Sequence, residues 1–442
     1  MIIGLIATAG LLTALLGRWM FGSWLNHVVL YGLSWGASLA LFHAGLIRYY
    51  PLESETWLII AAGWLSFLFG SATIVAARYG RAGGRQSDQQ DLLQVPGIEP
   101  RVFRALLWII NGVLVIEAVR HALVISTLIG GLNNFNRVAN VLYSLRVKQE
   151  IPGMIPYLSS TSLAACLLAG AYASRSGRLQ VVSILPLVVT IADSVLNMSR
   201  GTMIIGGILF AVGYAFGKPR GEVRATPGRG STFRRVAAVA LALTLFIVGI
   251  EFVRSSRGIN ESYRVATTTL SRLEGRSFVT PSVFFYATGS HGVLNQYLKS
   301  RDERMGFGGY SLAPFWRIMA KLGFPTFVEQ AQPFYYTPLP ANNGTYLREL
   351  DADYGTAGIV AGPYLLGALA SMFWLRVKRS QKLTDIMVLG HVYVVVGMSV
   401  FLLATQWGYW LVSLLFGLAA AFAIDRSYSG AQRSRGFHRI PL

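Results

Sequence analysis

Residues 196–207 read LNMSRGTMIIGG and join two strongly apolar runs with almost no spacer. Arginine is among the costliest side chains to place near lipid, so Arg200 at this junction asks for a partner. A tight hinge between two apolar runs predicts two membrane-spanning helices that meet at Ser199-Arg200-Gly201.

The same pattern extends along the chain. It has 442 residues, is 53% hydrophobic and only 13% charged, and its mean hydropathy is +0.48. A soluble chain of that length carries far more charge. Apolar runs fall at roughly 1–17, 25–46, 57–77, 104–127, 155–174, 179–198, 202–217, 236–253, 355–375, 384–404 and 409–424, each near the length a helix needs to cross hydrocarbon. The expected fold class is therefore an all-α polytopic membrane protein with about 11–12 transmembrane helices. The first run has no basic segment before it and no small-residue cleavage pattern after it, so it reads as a span rather than a removed signal.

The net charge is +19. In a membrane protein that excess is first a bias of the cytoplasmic loops, and nucleic-acid binding is not expected. The basic stretches 77–85, 174–178, 217–235, 376–382 and 425–439 alternate in register with the spans, which places them inside. Cys166 is the sole cysteine and lies in an apolar run, so no disulfide framework, thiol metal site or other metal site is expected.

One segment breaks the pattern. The expected organisation is a helix bundle over 1–253, a large external loop with short helices over 254–353, and C-terminal spans with a basic tail over 354–442. The loop is rich in arginine, aromatic residues, Gly and Pro. It opens with EFVRSSRGINESYR, which sets Arg254, Arg257 and Arg264 just beyond the membrane surface. With Arg200 they form a set of guanidiniums that repel one another unless an anion sits among them, and the planar fork suits phosphate oxygens. The same arginines also fit lipid headgroups, or pairing with Glu251, Glu261 or Asp193.

Before the next span, LPANNGTYLRELDADYGTAGIVAGPYLLG (339–367) crowds Asn342, Asn343, Arg348, Glu349, Asp351 and Asp353 together. A carboxylate here suits general-base work on a hydroxyl, with Glu349 the candidate. Asp351 or Asp353 equally suits capping of the following helix, and for Asp353 the cap is the expectation. His291 is the one histidine of the loop, a residue able to shuttle a proton near neutral pH or simply to fill a core position. In the fourth span Glu117 is spaced to meet both Arg120 and His121 on one helix face, as an ion pair or a proton relay.

The layout of a dozen helices with one large loop in the second half resembles the O-antigen polymerase (Wzy-type) oligosaccharide repeat-unit polymerases. So do NMSRGTMI (197–204), YATGSHGVLNQYL (286–298) and NNGTYLRELDADYGTAGIV (342–360). The resemblance implies a GT-C-like glycosyltransferase of a bacterial inner membrane, active at the periplasmic face. It would move a growing glycan from undecaprenyl pyrophosphate to the non-reducing end of a new lipid-linked repeat unit, without a cofactor. Expected partners are that substrate, membrane lipid, a chain-length regulator and a flippase. The resemblance further implies electrostatic roles for Arg200, Arg254 and Arg257 at the leaving pyrophosphate, with Glu349 or His291 as base. Arg264, Asn343 and Arg348 would bind substrate, and Tyr335 and Tyr336, with Trp316, would stack on sugar faces. An O-antigen ligase acting on lipid A-core, or a flippase of lipid-linked sugar, stands as the alternative.

Overall fold

In a computed structural model, residues 1–82, 100–131, 141–142, 145, 158–218, 265–274, 281–302, 306–324 and 332–436 are described. They are overwhelmingly helical, and the only regular strands among them are two residues each. The helices are α1 (Ile2–Phe21), α2 (His27–His43), α3 (Ser54–Ala82), α4 (Pro100–Ile129), α5 (Thr161–Ser176), α6 (Val181–Leu196), α7 (Gly201–Phe216), α8 (Thr268–Glu274), α9 (Pro281–Ser300), α10 (Ala313–Lys321), α11 (Tyr346–Tyr354), α12 (Thr356–Ser380), α13 (Leu383–Met398) and α14 (Gly408–Gly436). The strands β1 (Tyr335–Tyr336) and β2 (Pro340–Ala341) pair antiparallel. Ten of the eleven expected apolar runs fall on these helices, while 236–253 lies outside the described residues. Five helices, α1, α3, α4, α12 and α14, are long and apolar enough to cross a membrane. The chain is thus an all-α membrane protein.

Several elements differ from expectation for local reasons. Helix α2 has 17 residues, shorter than the run 25–46. Asn26 starts it by accepting from the Val28 and Val29 amides, and Gly45 at φ 68 follows its end. Helix α9 begins at Pro281 and runs 20 residues, longer than the short helices expected of the loop. The charged stretch 346–354 is itself a helix, α11, separated from α12 by Gly355 at φ 63.

The chain divides into two compact units. One comprises 1–85, 259–375 and 392–411, the other 86–258, 376–391 and 412–442. In the first, α2 carries a row of side chains that bond to other elements. His27 meets Ser371 at 2.8 Å, Tyr31 meets Tyr346 at 3.0 Å, the Trp35 indole donates to Ser399 at 2.9 Å, and Ser38 meets His291 at 2.8 Å. These positions, three to four residues apart, form one stripe of the helix. Helices α3 and α12 touch through glycine: a Cβ on Gly70 would stand 1.9 Å from the Tyr364 carbonyl oxygen.

In the second unit α5 and α7 approach as closely. A Cβ on Gly170 would lie 2.2 Å from the Phe210 oxygen and one on Gly213 2.1 Å from the Leu167 oxygen. At one end of this unit Arg175 donates to the carbonyls of Gly217 at 2.9 Å and Gln381 at 3.3 Å. The basic stretches 174–178 and 376–382 therefore share a side with the start of 217–235, as the loop register requires. The hinge 197–200 closes the other end of α6. Met198 adopts φ 51, the Ser199 amide reaches the Ser194 carbonyl at 2.8 Å, and Ser194 meets Thr202 across the turn at 2.7 Å.

Candidate functional site

The charged residues of 339–367 are organised by α11. Its residues Tyr346 to Asp353 are all buried, including three acids, Glu349, Asp351 and Asp353, and one arginine, Arg348. Burying so many ionisable groups costs heavily unless each is bonded, so their partners decide what the helix does.

Arg348 is fully buried and donates to the Asn342 carbonyl at 2.6 Å. Its guanidinium carbon sits 5.3 Å from the Tyr335 ring centroid and 6.0 Å from that of Tyr297. Gly344 leaves the space for this side chain, since a Cβ there would lie 2.4 Å from the Arg348 Cδ. Tyr335 in turn donates to Asp302 at 2.7 Å. That hydrogen bond is the main reason the Asp302 carboxyl lies below its ordinary pKa. Arg348 thereby fixes the β1–β2 hairpin from beneath, and the hairpin presents Phe334 and Tyr336 as exposed rings.

Glu349 faces another wall. It accepts from the Leu403 amide, from the Gln332 side chain, and from the Gln406 side chain at 3.0 Å. Gln332 also donates to Gln406 at 2.9 Å. Burial pushes the Glu349 pKa from 4.5 to about 7, against the opposing pull of Arg348 and these donors. The expectation of a base open to a substrate hydroxyl is corrected here: the side chain is sealed and its oxygens are occupied by its own fold. It acts by holding the 401–406 turn and Gln332 together.

His291 is corrected in the same way. It is fully buried on α9, with Nε2 on Ser38 and its ring against Trp35 and Phe42. Burial, with the neighbouring His43, lowers its pKa from 6.5 to about 3, so it stays neutral where a proton shuttle would have to titrate. Asp353 does not cap α12. Its oxygens accept from the amides of Tyr310 at 2.8 Å and Ser311 at 2.7 Å, so it pins the segment before α10. Asp351 accepts from the Tyr297 hydroxyl at 3.0 Å.

Among the other expected residues, Asn343 is half-buried beside Asn342, and Trp316 donates to the Gly308 carbonyl at 3.1 Å rather than standing free. In the second unit Arg200 takes the position before α7 at the hinge and is half-buried. Glu117 pairs with Arg120 at 2.6 Å, as its spacing predicts. His121 pairs with Asp193 at 2.8 Å instead of Glu117, which ties α4 to α6. Arg254, Arg257 and Arg264 lie outside the described residues.

Sequence reasoning missed Gln332, Asn342 as a carbonyl acceptor, Tyr297 and the 401–406 turn. Tyr297 lies inside the quoted YATGSHGVLNQYL (286–298), the one signal that could have pointed to it, whereas Gln332 lies in none of the quoted motifs. No protein-family model, curated protein or solved structure matches the chain.

Proposed function

We propose that this chain is a polymerase of lipid-linked oligosaccharide repeat units, transferring a growing glycan from undecaprenyl pyrophosphate to the non-reducing end of a new lipid-linked unit at the periplasmic face of a bacterial inner membrane. The observation that carries the reading is the α11 motif. Within NNGTYLRELDADYG, residues 346–354 fold as one buried charged helix directly before a membrane-spanning helix, and through Arg348 this helix holds a hairpin beside which aromatic rings are exposed. Such rings are flat apolar platforms for the C–H faces of a sugar. Held on an ordered hairpin, they lose little freedom when a glycan binds.

In this reading Tyr336 and Phe334 receive sugar, with Asn343 beside them. Arg348 is the positioning residue beneath Tyr335, and Glu349 and His291 are structural supports. The bond from the anomeric carbon to the pyrophosphate oxygen breaks and the pyrophosphate keeps the electron pair, while a hydroxyl oxygen of the acceptor unit's non-reducing sugar bonds to that carbon and its proton passes to the departing pyrophosphate or to water. That charge calls for fixed cations, a role assigned to Arg200, Arg254 and Arg257, while Arg264 would bind substrate. The energy resides in the pyrophosphate linkage, so no nucleotide or other cofactor enters the scheme. A GT-C-like arrangement, a chain-length regulator and a flippase partner belong to the same proposal.

The test is purified chain incubated with a synthetic undecaprenyl-pyrophosphate-linked repeat unit alone. A ladder of products is expected. Tyr336→Ala should lower kcat/KM by about three- to tenfold, the worth of one aromatic contact. Arg348→Lys should lose activity more deeply, because a single ammonium cannot both bond the carbonyl and stack between rings. Product formation only when lipid A-core is added would replace the reading with a ligase. Substrate movement across vesicles without any new glycosidic bond would replace it with a flippase.

A further inference from the structure

Among the described residues, helix α10 lies at the surface with an apolar face that no other element covers. Phe315 is 49% exposed, Ile318 54%, Leu322 67% and, just beyond the helix, Phe324 55%. At 100° per residue, Phe315, Ile318, Met319 and Leu322 fall within an arc of about 100°, a typical amphipathic stripe. The buried start of the helix, Ala313 and Pro314, faces the protein, and the helix rests against the 404–406 turn. On the same wheel Arg317 and Lys321, four residues apart, lie behind the stripe, about 150° and 110° from its middle and on the side that carries Ala313 and Pro314. Carboxylates are missing from the helix altogether.

The position of this helix is set from its amino-terminal side. Asp353 holds the Tyr310 and Ser311 amides, the Ser311 hydroxyl meets the Tyr354 hydroxyl at 2.7 Å, and Phe307 packs edge-on against Tyr354 at 5.4 Å. Asp353 and Tyr354 end α11, and the spanning helix α12 begins two residues after Tyr354, at Thr356. The segment leading into α10 is therefore fastened to the place where the chain enters the membrane.

We infer that α10 is an interfacial anchor, its Phe315–Ile318–Leu322 face lying among acyl chains at the bilayer surface and its Arg317 and Lys321 side chains meeting the phosphates of anionic lipids. Two long basic side chains behind an apolar stripe suit an anionic interface, where each such charge adds attraction and its stem lets it reach headgroup level. The segment leading into α10 is fastened beside the start of α12, so lipid is the surface within reach. The inference stands on the helix and is independent of the transfer reaction.

The test uses the full chain with Cys166→Ala in lipid nanodiscs, carrying an environment-sensitive fluorophore at Ile318→Cys or, as a water-facing control, at Asp302→Cys. Discs contain phosphatidylcholine alone or mixed with phosphatidylglycerol. Doxyl-labelled lipid should quench the fluorophore at position 318 more than at 302, and aqueous iodide should do the reverse. Phosphatidylglycerol should deepen the lipid quenching at 318, and Arg317→Gln with Lys321→Gln should abolish that increment. Quenching at 318 by iodide but not by lipid would overturn the inference. Protection from both quenchers would also overturn it, because the face would then be covered by protein. Lipid quenching indifferent to phosphatidylglycerol would overturn the assignment of Arg317 and Lys321.

Discussion

Arg348 and Glu349 are sequence neighbours, yet they serve different walls of one buried helix. The first orders the hairpin 335–341 from beneath, and the second orders the 401–406 turn some fifty residues later. Because burial raises the Glu349 pKa from 4.5 to about 7, the folded state prefers the protonated acid. The stabilisation this gives is complete below the ordinary pKa and is lost as pH rises through the folded value. Thermal unfolding of the detergent-solubilised chain should thus show stability falling between about pH 5 and about pH 8. Glu349→Gln, which keeps the shape and cannot ionise, should flatten that slope; an unchanged slope in the variant would assign the effect to another group. The crowding of charge in 339–367 was legible in the sequence, but the direction each residue faces was not. Tyr346, Leu347 and Leu350 mark an apolar helix face, whereas Glu349 is sealed by Leu403, Gln332 and Gln406, none of which local spacing announces. His121 teaches the same lesson, since a partner on α6, Asp193, replaced the one its own helix offered.

Helices in this chain are held to one another largely by close approach. Lipid supplies no hydrophobic drive between apolar helices, so contact depends on packing and on small residues that admit a neighbour's backbone. Gly170 and Gly213 meet the α7 and α5 carbonyls at distances that no side chain allows. Gly213→Val should therefore push α5 and α7 apart and cost about 1–3 kcal/mol, the usual range for overpacking. Chemical unfolding in mixed micelles would measure it, and a Val variant as stable as the parent would show that this contact contributes little. At this scale long apolar runs were readily legible, because hydrophobic length decides a spanning helix almost alone. The start of α9 was not. Two glycines lie inside this helix, and Gly292 is there because Thr337 packs against it, 2.8 Å from where a Cβ would stand. The bond from Ser38 to the Ala287 carbonyl, 2.6 Å, supports the same turn of α9 from another helix. Tertiary contacts of this kind override local propensity, which is also why α11 was read as an approach to the membrane rather than as a helix.

At the scale of the whole molecule the chain's sidedness follows from where its basic turns gather. Arg175 binds the carbonyls of Gly217 and Gln381, so three polypeptide turns rich in Lys and Arg end together. Short loops with that bias face the cytoplasm. Helix α12, with 25 residues, runs about 37 Å from Thr356 to Ser380 at 1.5 Å per residue, more than the hydrocarbon thickness. In the proposed orientation α12 crosses the membrane with its basic end at the cytoplasm and its α11 end, with Asp302 and Tyr336, at the periplasm. In spheroplasts of a bacterial host producing the Cys166→Ala chain, Asp302→Cys should react with a membrane-impermeant maleimide. Lys382→Cys should react only after the membrane is permeabilised. The opposite pattern would set the aromatic hairpin against the cytosol. A polyprenyl-pyrophosphate glycan presented from the periplasm could not reach it there, so reversed labelling would remove the polymerase reading while leaving the helix packing and the α11 bonding network untouched.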